Sequence, residues 1–219
     1  MRKVITAIGT VSTMFLILWF AVCIFGLSPK AFMPYYTEEI VAETGVEKAE
    51  LDRLITEAFD FLGGRLDSMQ TEVVRDGVLQ KAYNDDELSH MQDVKNVLIG
   101  FWVAALVAAI GVTVFVVSLI RSRKEKTNDV RTVVITLIVI AAVAAGIAAL
   151  AIFAFDFAFT LFHKVFFPQG NWMFPWHCLI VNIYPEAAFN AIAIKIILSV
   201  LFVTGGLLAA LIFWEREKS

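Results

Sequence analysis

Long runs of apolar residues, separated by polar segments, dominate the pattern of this chain. Four runs reach the length of about 20 residues that an α-helix needs to cross the hydrocarbon core of a bilayer. They cover residues 5–27, 97–120, 133–155 and 191–214, and Lys195 is the only charged side chain in any of them. The pattern therefore predicts an all-α integral membrane protein with four transmembrane helices.

The polar segments between these runs carry helical patterns of their own. From Leu51 onward apolar residues recur at spacings of three and four, which is typical of one buried helix face, and the Gly63-Gly64 pair predicts the helix end. A shorter helix is predicted to begin at Thr37, followed by two glutamates whose charge suits a helix N-terminus. Residues 28–96 are therefore expected to form a small helical cap outside the membrane.

The charge distribution predicts which side of the membrane each segment faces. Hydrophobic residues make up 59% of the chain and charged residues 18%, against about a half and a quarter in soluble proteins. Lysine and arginine are in excess before the first span, in residues 121–132 and after the fourth span, as is typical of cytoplasmic segments. We therefore expect both termini and residues 121–132 in the cytoplasm. Residues 28–96 and 156–190 should be extracytoplasmic, in a single membrane domain covering residues 1–219.

All three histidines then lie on or near the extracytoplasmic side. In the segment YNDDELSHMQDVK, Asn84 or Asp85 is predicted to cap the helix that enters the second span. Asp86, His90 and Asp93 are spaced by four and three residues, so they share one helix face, and either carboxylate could orient the imidazole as a general base. The alternative is a solvated, acidic helix start in which His90 has no special role.

A second histidine, His163, lies at the outer end of the third span. The helix is predicted to continue through FDFAFTLFHKVFF and to stop before Pro168, because the residue before a proline is disfavoured in a helix. Asp156 and His163 are two turns apart on one face and could line one cavity. Ionisable groups at membrane depth are costly and usually functional. The alternative is a core histidine that only satisfies a backbone carbonyl.

An interfacial loop is predicted after Pro168, within residues 156–190. Turn residues and tryptophans follow one another there, which is typical of irregular backbone at a membrane surface. Asn171 and free backbone N–H groups of such a loop could stabilise an oxyanion. An aromatic belt followed by a simple turn is the alternative.

Common catalytic motifs are missing from the sequence. It has no HExxH, no GxSxG and no glycine-rich phosphate loop, and its histidines lack the spacing of a helical metal-ligand pair. Cys178 could be a thiol nucleophile beside His177, although neighbours in sequence seldom face each other. A disulfide between Cys23 and Cys178 is conceivable but not favoured. The remaining possibility is a reaction in which the substrate carries both the nucleophile and the electrophile. The protein would then position the two groups and transfer protons through histidine.

Three motifs resemble one known family. They are DDELSHMQDVK ahead of the second span, FHKVFFPQGNWMF, and LIVNIYPEAAF, and together with the order of the spans they resemble the bacterial lipoprotein intramolecular transacylases. The resemblance implies an enzyme of the Gram-positive cell membrane. Such an enzyme moves an acyl chain from the diacylglyceryl group of a lipoprotein to the α-amino group of its N-terminal cysteine, which gives the lyso form. In the loop, WMFPWHCLI departs from the family pattern, in which Asp-Pro follows Trp-x-Phe, so the part played by His177 stays open.

The resemblance also implies partners and site residues. A diacylated lipoprotein and membrane lipid are the expected partners; no nucleic acid, cofactor or metal is expected, and a monomer is favoured. The rival interpretations are a non-enzymatic four-helix membrane scaffold or adaptor and, less favoured, a metal-binding membrane protein. The expected catalytic residues are His163, His90 and Asp93, and the expected substrate-binding residues are Lys95, Asn171, Trp172 and Asp156, the last proposed from its helix face alone.

Overall fold

The computed structural model describes residues 2–69, 71–121 and 126–217. Helices dominate it, with one short pair of strands and two 3₁₀ turns at Pro29–Ala31 and Met33–Tyr35. In chain order the elements are α1 (Arg2–Phe25), α2 (Glu38–Thr44), α3 (Lys48–Leu62), β1 (Glu72–Arg75), β2 (Val78–Lys81), α4 (Asp85–Arg121), α5 (Lys126–Phe153), α6 (Phe155–Phe166), α7 (Leu179–Ile183) and α8 (Glu186–Arg216).

Four helices of the described chain, α1, α4, α5 and α8, are long and apolar enough to span a membrane. This confirms the predicted membrane architecture. The predicted connection at 121–132 is shorter than expected, because α4 extends to Arg121 and α5 already begins at Lys126. Residues 122–125 of that connection lie outside the described residues.

The chain divides into two compact units. The bundle unit lies within residues 1–22, 101–154 and 194–219, and the cap unit within residues 23–100 and 155–193. Every residue of the predicted site belongs to the cap unit. The single domain predicted for the whole chain stays a prediction.

The bundle unit is held by close helix packing. Met14, Leu137 and Val200 from three different helices form its buried core. At Gly9 of α1 a Cβ atom would overlap the side chain of Phe115 of α4, so only glycine allows this approach. Small residues at helix contacts are typical of membrane bundles, since they let the backbones come close.

A buried ion pair joins α1 to the first turn of α5. The Arg2 guanidinium forms a salt bridge with Asp129, whose side chain is almost fully buried, and the Arg2 Nε donates a further hydrogen bond of 3.0 Å to Asp129 Oδ1. Thr6 also donates to this carboxylate. A buried carboxylate needs such partners because its desolvation is costly.

The cap unit confirms the predicted helices α2 and α3. The Thr37 hydroxyl accepts a hydrogen bond from the Ile40 N–H and so caps α2, and Gly45 ends it in the left-handed region at φ 63°. In α3 the predicted apolar face is buried except at Leu62, which is half-buried; Leu51 and Leu54 are completely inaccessible, and Gly63 follows the last residue of the helix.

A hairpin in the cap was missed by the purely helical prediction. Strands β1 and β2 pair antiparallel, with Val74 opposite Leu79. Asp76 and Gly77 form the turn, and both have positive φ, at 51° and 78°. An Asp-Gly pair with this geometry is the two-residue turn that matches the twist of paired strands. The signal was therefore present in the sequence.

The third span does not continue as one helix. Helix α5 ends at Phe153 and α6 begins at Phe155, with Ala154 between them. No proline or glycine marks this break, and we have no physical account of it from the local sequence. Helix α6 ends at Phe166, two residues before Pro168, as predicted.

Candidate active site

The start of α4 sets the position of His90. Asn84 and Glu87 form a reciprocal capping box: the Asn84 Oδ1 accepts from the Glu87 N–H at 2.9 Å, and the Glu87 Oε2 accepts from the Asn84 N–H at 2.8 Å. Of the two predicted caps, Asn84 and Asp85, the structure therefore shows Asn84. Since α4 begins at Asp85, His90 lies in its second turn.

A second helix is capped by the same glutamate. The Glu87 Oε1 accepts a hydrogen bond of 3.0 Å from the Ile180 N–H in the first turn of α7, and the Glu87 side chain is buried. The Tyr36 hydroxyl donates to the Ile183 carbonyl at the other end of α7. Glu87 therefore joins the helix that carries His90 to α7, which lies within the predicted interfacial loop. Sequence reasoning passed it over, although its spacing from Asn84 is a capping signal.

His90 lies in an aromatic pocket and is 7% exposed. Its ring centroid is 4.8 Å from that of Phe167 and 5.6 Å from that of Phe174. The Nδ1 atom is buried and has no hydrogen-bond partner among the described residues. Neither Asp86 nor Asp93 hydrogen-bonds His90 in the described part of the chain, contrary to the expectation from their shared helix face.

His163 is the buried residue of α6. Its Nδ1 lies 2.8 Å from the Phe159 carbonyl oxygen. A carbonyl can only accept, so Nδ1 carries the proton, and in the neutral ring the lone pair lies on Nε2. Trp172 also packs against the imidazole, with ring centroids 4.9 Å apart. The contact to a backbone carbonyl was the alternative considered from the sequence, and here it also fixes the tautomer that a general base needs.

The two imidazoles are brought together. Their ring centroids are 6.1 Å apart and their planes differ by 26°. Phe167 touches both rings, at 4.8 and 5.5 Å. Burial lowers the pKa of His163 below the ordinary value of 6.5, and the hydrogen bond to Phe159 opposes part of that shift. Two close, desolvated imidazoles favour neutral rings, so a base is available near pH 7.

Asp93 hydrogen-bonds the interfacial loop and does not hydrogen-bond His90. Its Oδ2 accepts a hydrogen bond of 2.7 Å from the Gln169 amide and one of 2.8 Å from the Asn171 amide. Asn171 also donates weakly to Ser89 at 3.4 Å. Its NH₂ group therefore faces the carboxylate and is not free for an oxyanion, while its Oδ1 is buried without a partner among the described residues.

The other expected residues lie in different surroundings. The Lys95 ammonium lies 4.2 Å above the centroid of the Phe61 ring, on α3, and such a contact is a cation–π interaction. Asp156 is exposed in the first turn of α6. Trp172 contacts His163 directly, as described above.

His177 and Cys178 do not join the histidine pair. His177 is exposed, and its ring packs on Trp176 at 5.9 Å. Both Cys23 and Cys178 are free thiols. Burial raises the pKa of the Cys178 thiol, and the Glu87 carboxylate raises it further. A thiolate is disfavoured there, which argues against Cys178 as a nucleophile.

Residues missed by sequence reasoning complete the site. Phe167 and Phe174 form the walls around His90, and Gln169 fixes Asp93. All three lie inside the motif FHKVFFPQGNWMF, but nothing in the sequence showed which part of the site each would contact. Within the described residues no three histidine, cysteine or acidic side chains are grouped so that they could hold a metal ion.

The four long apolar helices and this buried histidine pair define an integral membrane protein with a site suited to proton transfer. Comparison with known families identifies the family of this membrane protein. The model of the family "Lipoprotein intramolecular transacylase Lit" matches residues 7–189. The chain belongs to this family, which is a family of acyltransferases.

Solved structures of similar fold come from the same family. The membrane-integral lipoprotein intramolecular transacylase Lit from Bacillus cereus matches with a TM-score of 0.76 and 20% identity, over 99% of this chain and 98% of the other. Two further structures of that protein each carry one histidine substitution. The variant with arginine has a TM-score of 0.68 and 22% identity, covering 100% and 95% of the two chains. The variant with alanine has the same score and identity, covering 99% and 96%. No curated protein sequence matches the chain.

Proposed function

We propose that this protein moves an acyl chain within a bacterial lipoprotein. The chain leaves an oxygen of the diacylglyceryl group and is transferred to the α-amino group of the N-terminal cysteine, which gives the lyso form. The observation that carries the proposal is the pair of buried imidazoles with centroids 6.1 Å apart, in a chain that belongs to the transacylase family. Diacylated lipoprotein and membrane lipid are the proposed partners.

The reaction is a rearrangement within one molecule. The amine nitrogen attacks the ester carbonyl carbon, a C–N bond forms, and the bond from that carbon to the glyceryl oxygen breaks. One proton leaves the amine and one arrives on the glyceryl oxygen, so atoms balance without a second substrate. The protein has to position the two groups and move protons, which are the contributions of proximity and general acid–base catalysis.

His163 is the proposed general base. Its tautomer is fixed by the Phe159 carbonyl, so Nε2 is free to take the proton of the amine. His90 then handles the second proton or polarises the ester carbonyl, since it lies beside His163 and its Nδ1 has no partner among the described residues. The surrounding phenylalanine rings exclude water, which strengthens these polar interactions.

Asp93 acts in this proposal as a positioning residue. It holds Asn171 and Gln169, and thereby the loop that places Trp172 against His163. Trp172 and Asn171 are proposed to contact the substrate from that loop. Lys95 and Asp156 are proposed to bind the substrate away from the reacting groups, at a lipid headgroup or at the peptide.

The site is proposed to face the extracytoplasmic side, with both termini in the cytoplasm. His90 lies in the second turn of α4, and Arg121 is its last residue. The cationic end of a membrane helix favours the cytoplasm, so the histidine end is proposed outside. Alkaline phosphatase fused at the C-terminus should be inactive and a fluorescent protein fused there should fluoresce. The opposite result would reverse the orientation.

Mass spectrometry of a reporter lipoprotein tests the function. The reporter is produced in a bacterium without N-acylated lipoproteins, with or without this chain, and its N-terminal lipopeptide is fragmented. We expect an acyl group on the cysteine amine with the wild-type chain. His163→Ala should reduce this product by about 100-fold or more, the usual contribution of a general base.

Lys164→Ala is the matched control, since Lys164 is the exposed neighbour of His163 on α6. It should behave like wild type at equal abundance in the membrane. Unchanged reporter lipid with the wild-type chain would overturn the proposal and favour a non-enzymatic scaffold. Full activity of His163→Ala would refute the role proposed for His163, and the proposed reaction would still stand.

A further inference from the structure

A cavity of about 440 Å³ lies in the cap unit between the start of α4 and the interfacial loop. Neither His90 nor His163 lines it, but two of its lining residues contact His90 and Asp93. Phe174 lines the cavity and packs on His90, and Asn171 lines it and is held by Asp93. The mechanism above does not use this space.

Three side chains of this cavity offer free acceptor oxygens, and Asn84, His177 and Cys178 are its other polar lining residues. Asp86 is exposed in it and makes no hydrogen bond or ion pair with another described residue. Asn171 and Gln169 both turn their NH₂ groups to Asp93, which leaves their amide oxygens as acceptors. The Asn171 oxygen is buried and lacks a donor among the described residues.

Asp86 is the only carboxylate among the described residues that line the cavity, and none of them is a lysine or an arginine. His177 also lines it, and the Arg75 guanidinium donates to the His177 carbonyl oxygen. Acceptor atoms beside the Asp86 carboxylate suit a ligand that is cationic and rich in N–H donors.

We propose that this cavity receives the α-ammonium group of the substrate, and that Asp86 binds it. The inference rests on the proposed function, which requires a free α-amine close to the histidines. Asp86 attracts the ammonium form. The ammonium releases one proton to solvent to become the nucleophilic amine, and after the attack the nitrogen loses a second proton to the histidine base, which replaces it by protonating the glyceryl oxygen. Asp86 also explains selection: a lipoprotein whose amine is already acylated has lost the charge and two of its N–H donors, so it binds weakly.

Binding of two lipopeptides tests this directly. Both carry a dialkylglyceryl cysteine, whose ether links cannot be transferred, and they differ only in a free or an acetylated amine. Purified full-length protein in detergent should bind the free amine about tenfold more tightly, because a hydrogen bond to a charged group contributes more than a neutral one. Asp86→Asn should lose most of this preference, and Asp86→Glu should keep part of it.

Asp85→Asn is the matched control. Asp85 precedes Asp86 in the same first turn and has the same charge and exposure, but it does not line the cavity. It should keep the tenfold preference. In turnover, Asp86→Asn should raise KM for the diacylated lipopeptide about tenfold and change kcat little.

Equal binding of the two lipopeptides by wild type, or an unchanged preference in Asp86→Asn, would overturn the inference. Equal weakening of both ligands would place the peptide in the cavity and would also overturn it. These results are separate from the reporter experiment: acyl transfer without amine preference removes the inference and leaves the function. Absence of acyl transfer by wild type removes the function itself.

Discussion

Removal of the Glu87 carboxylate should destabilise the cap unit more than removal of any exposed acid near it. Glu87 is 3% exposed and accepts hydrogen bonds from the backbone N–H groups of Asn84 and Ile180. In Glu87→Ala the Ile180 N–H stays buried without an acceptor. The Asn84 N–H is only partly buried, so water can replace the lost bond there.

The magnitude follows from these two bonds. A buried N–H group that loses a charged acceptor costs about 1.5 to 3 kcal/mol, and loss of half a capping box costs about 0.5 to 1 kcal/mol. Together we expect a loss of about 2 to 4 kcal/mol in the free energy of unfolding. Glu87→Gln should lose about half of that, because one amide oxygen can accept one of the two bonds while its NH₂ group faces the other donor.

Thermal unfolding of purified protein in detergent measures this loss. We expect Tm to fall by roughly 5 to 15 °C in Glu87→Ala, at about 2 to 4 °C per kcal/mol for a chain of this size. Asp85→Ala is the control, since it removes an exposed acid from the same helix turn and should change Tm by about 2 °C at most. The reasoning is refuted if Glu87→Ala unfolds within 1 °C of wild type.

Two further predictions concern charge. Because burial lowers the pKa of His163 below 6.5, its neutral form dominates at pH 7, and an NMR titration of the His163 imidazole should give a midpoint below pH 6.5. The stability that this neutral histidine contributes is present above pH 6.5 and is lost as the pH falls through the lowered pKa. A midpoint above pH 6.5 would contradict this assignment. Asp129→Asn breaks the buried pair with Arg2 and should lower the free energy of unfolding by about 1 to 3 kcal/mol. Unfolding in detergent measures this loss, with the exposed Glu39→Gln as the control. An unchanged stability would show that the pair is not needed.

Local patterns carried the prediction of the fold. A run of apolar residues long enough for a bilayer predicts a membrane helix wherever it occurs, because the backbone must satisfy its own hydrogen bonds in lipid. The Asn84 cap, the Thr37 cap and the apolar face of α3 were all predictable, since each depends on residues within four positions of one another. The Asp76-Gly77 turn belongs to the same class, and its signal was overlooked.

The sequence predicted which residues form the candidate site, but it did not predict how they are arranged. Its motifs and the family resemblance pointed to His90 and His163 from the sequence, and their roles stay predictions. That Asp93 would bond to Asn171 and Gln169 rather than to His90 has no local signal, because those partners lie more than 70 positions away.

The four membrane helices, the start of α2, the end of α3 and the residues able to carry protons could be predicted from the sequence. The shared aromatic pocket of the two imidazoles, the Phe159 carbonyl at His163 and the cavity at Asp86 came from the packing of distant segments. The two groups differ in the range of the interactions on which they depend. Helix formation and capping depend on neighbours in the chain, whereas the burial of an imidazole and the partner of a carboxylate depend on which distant segments pack against them.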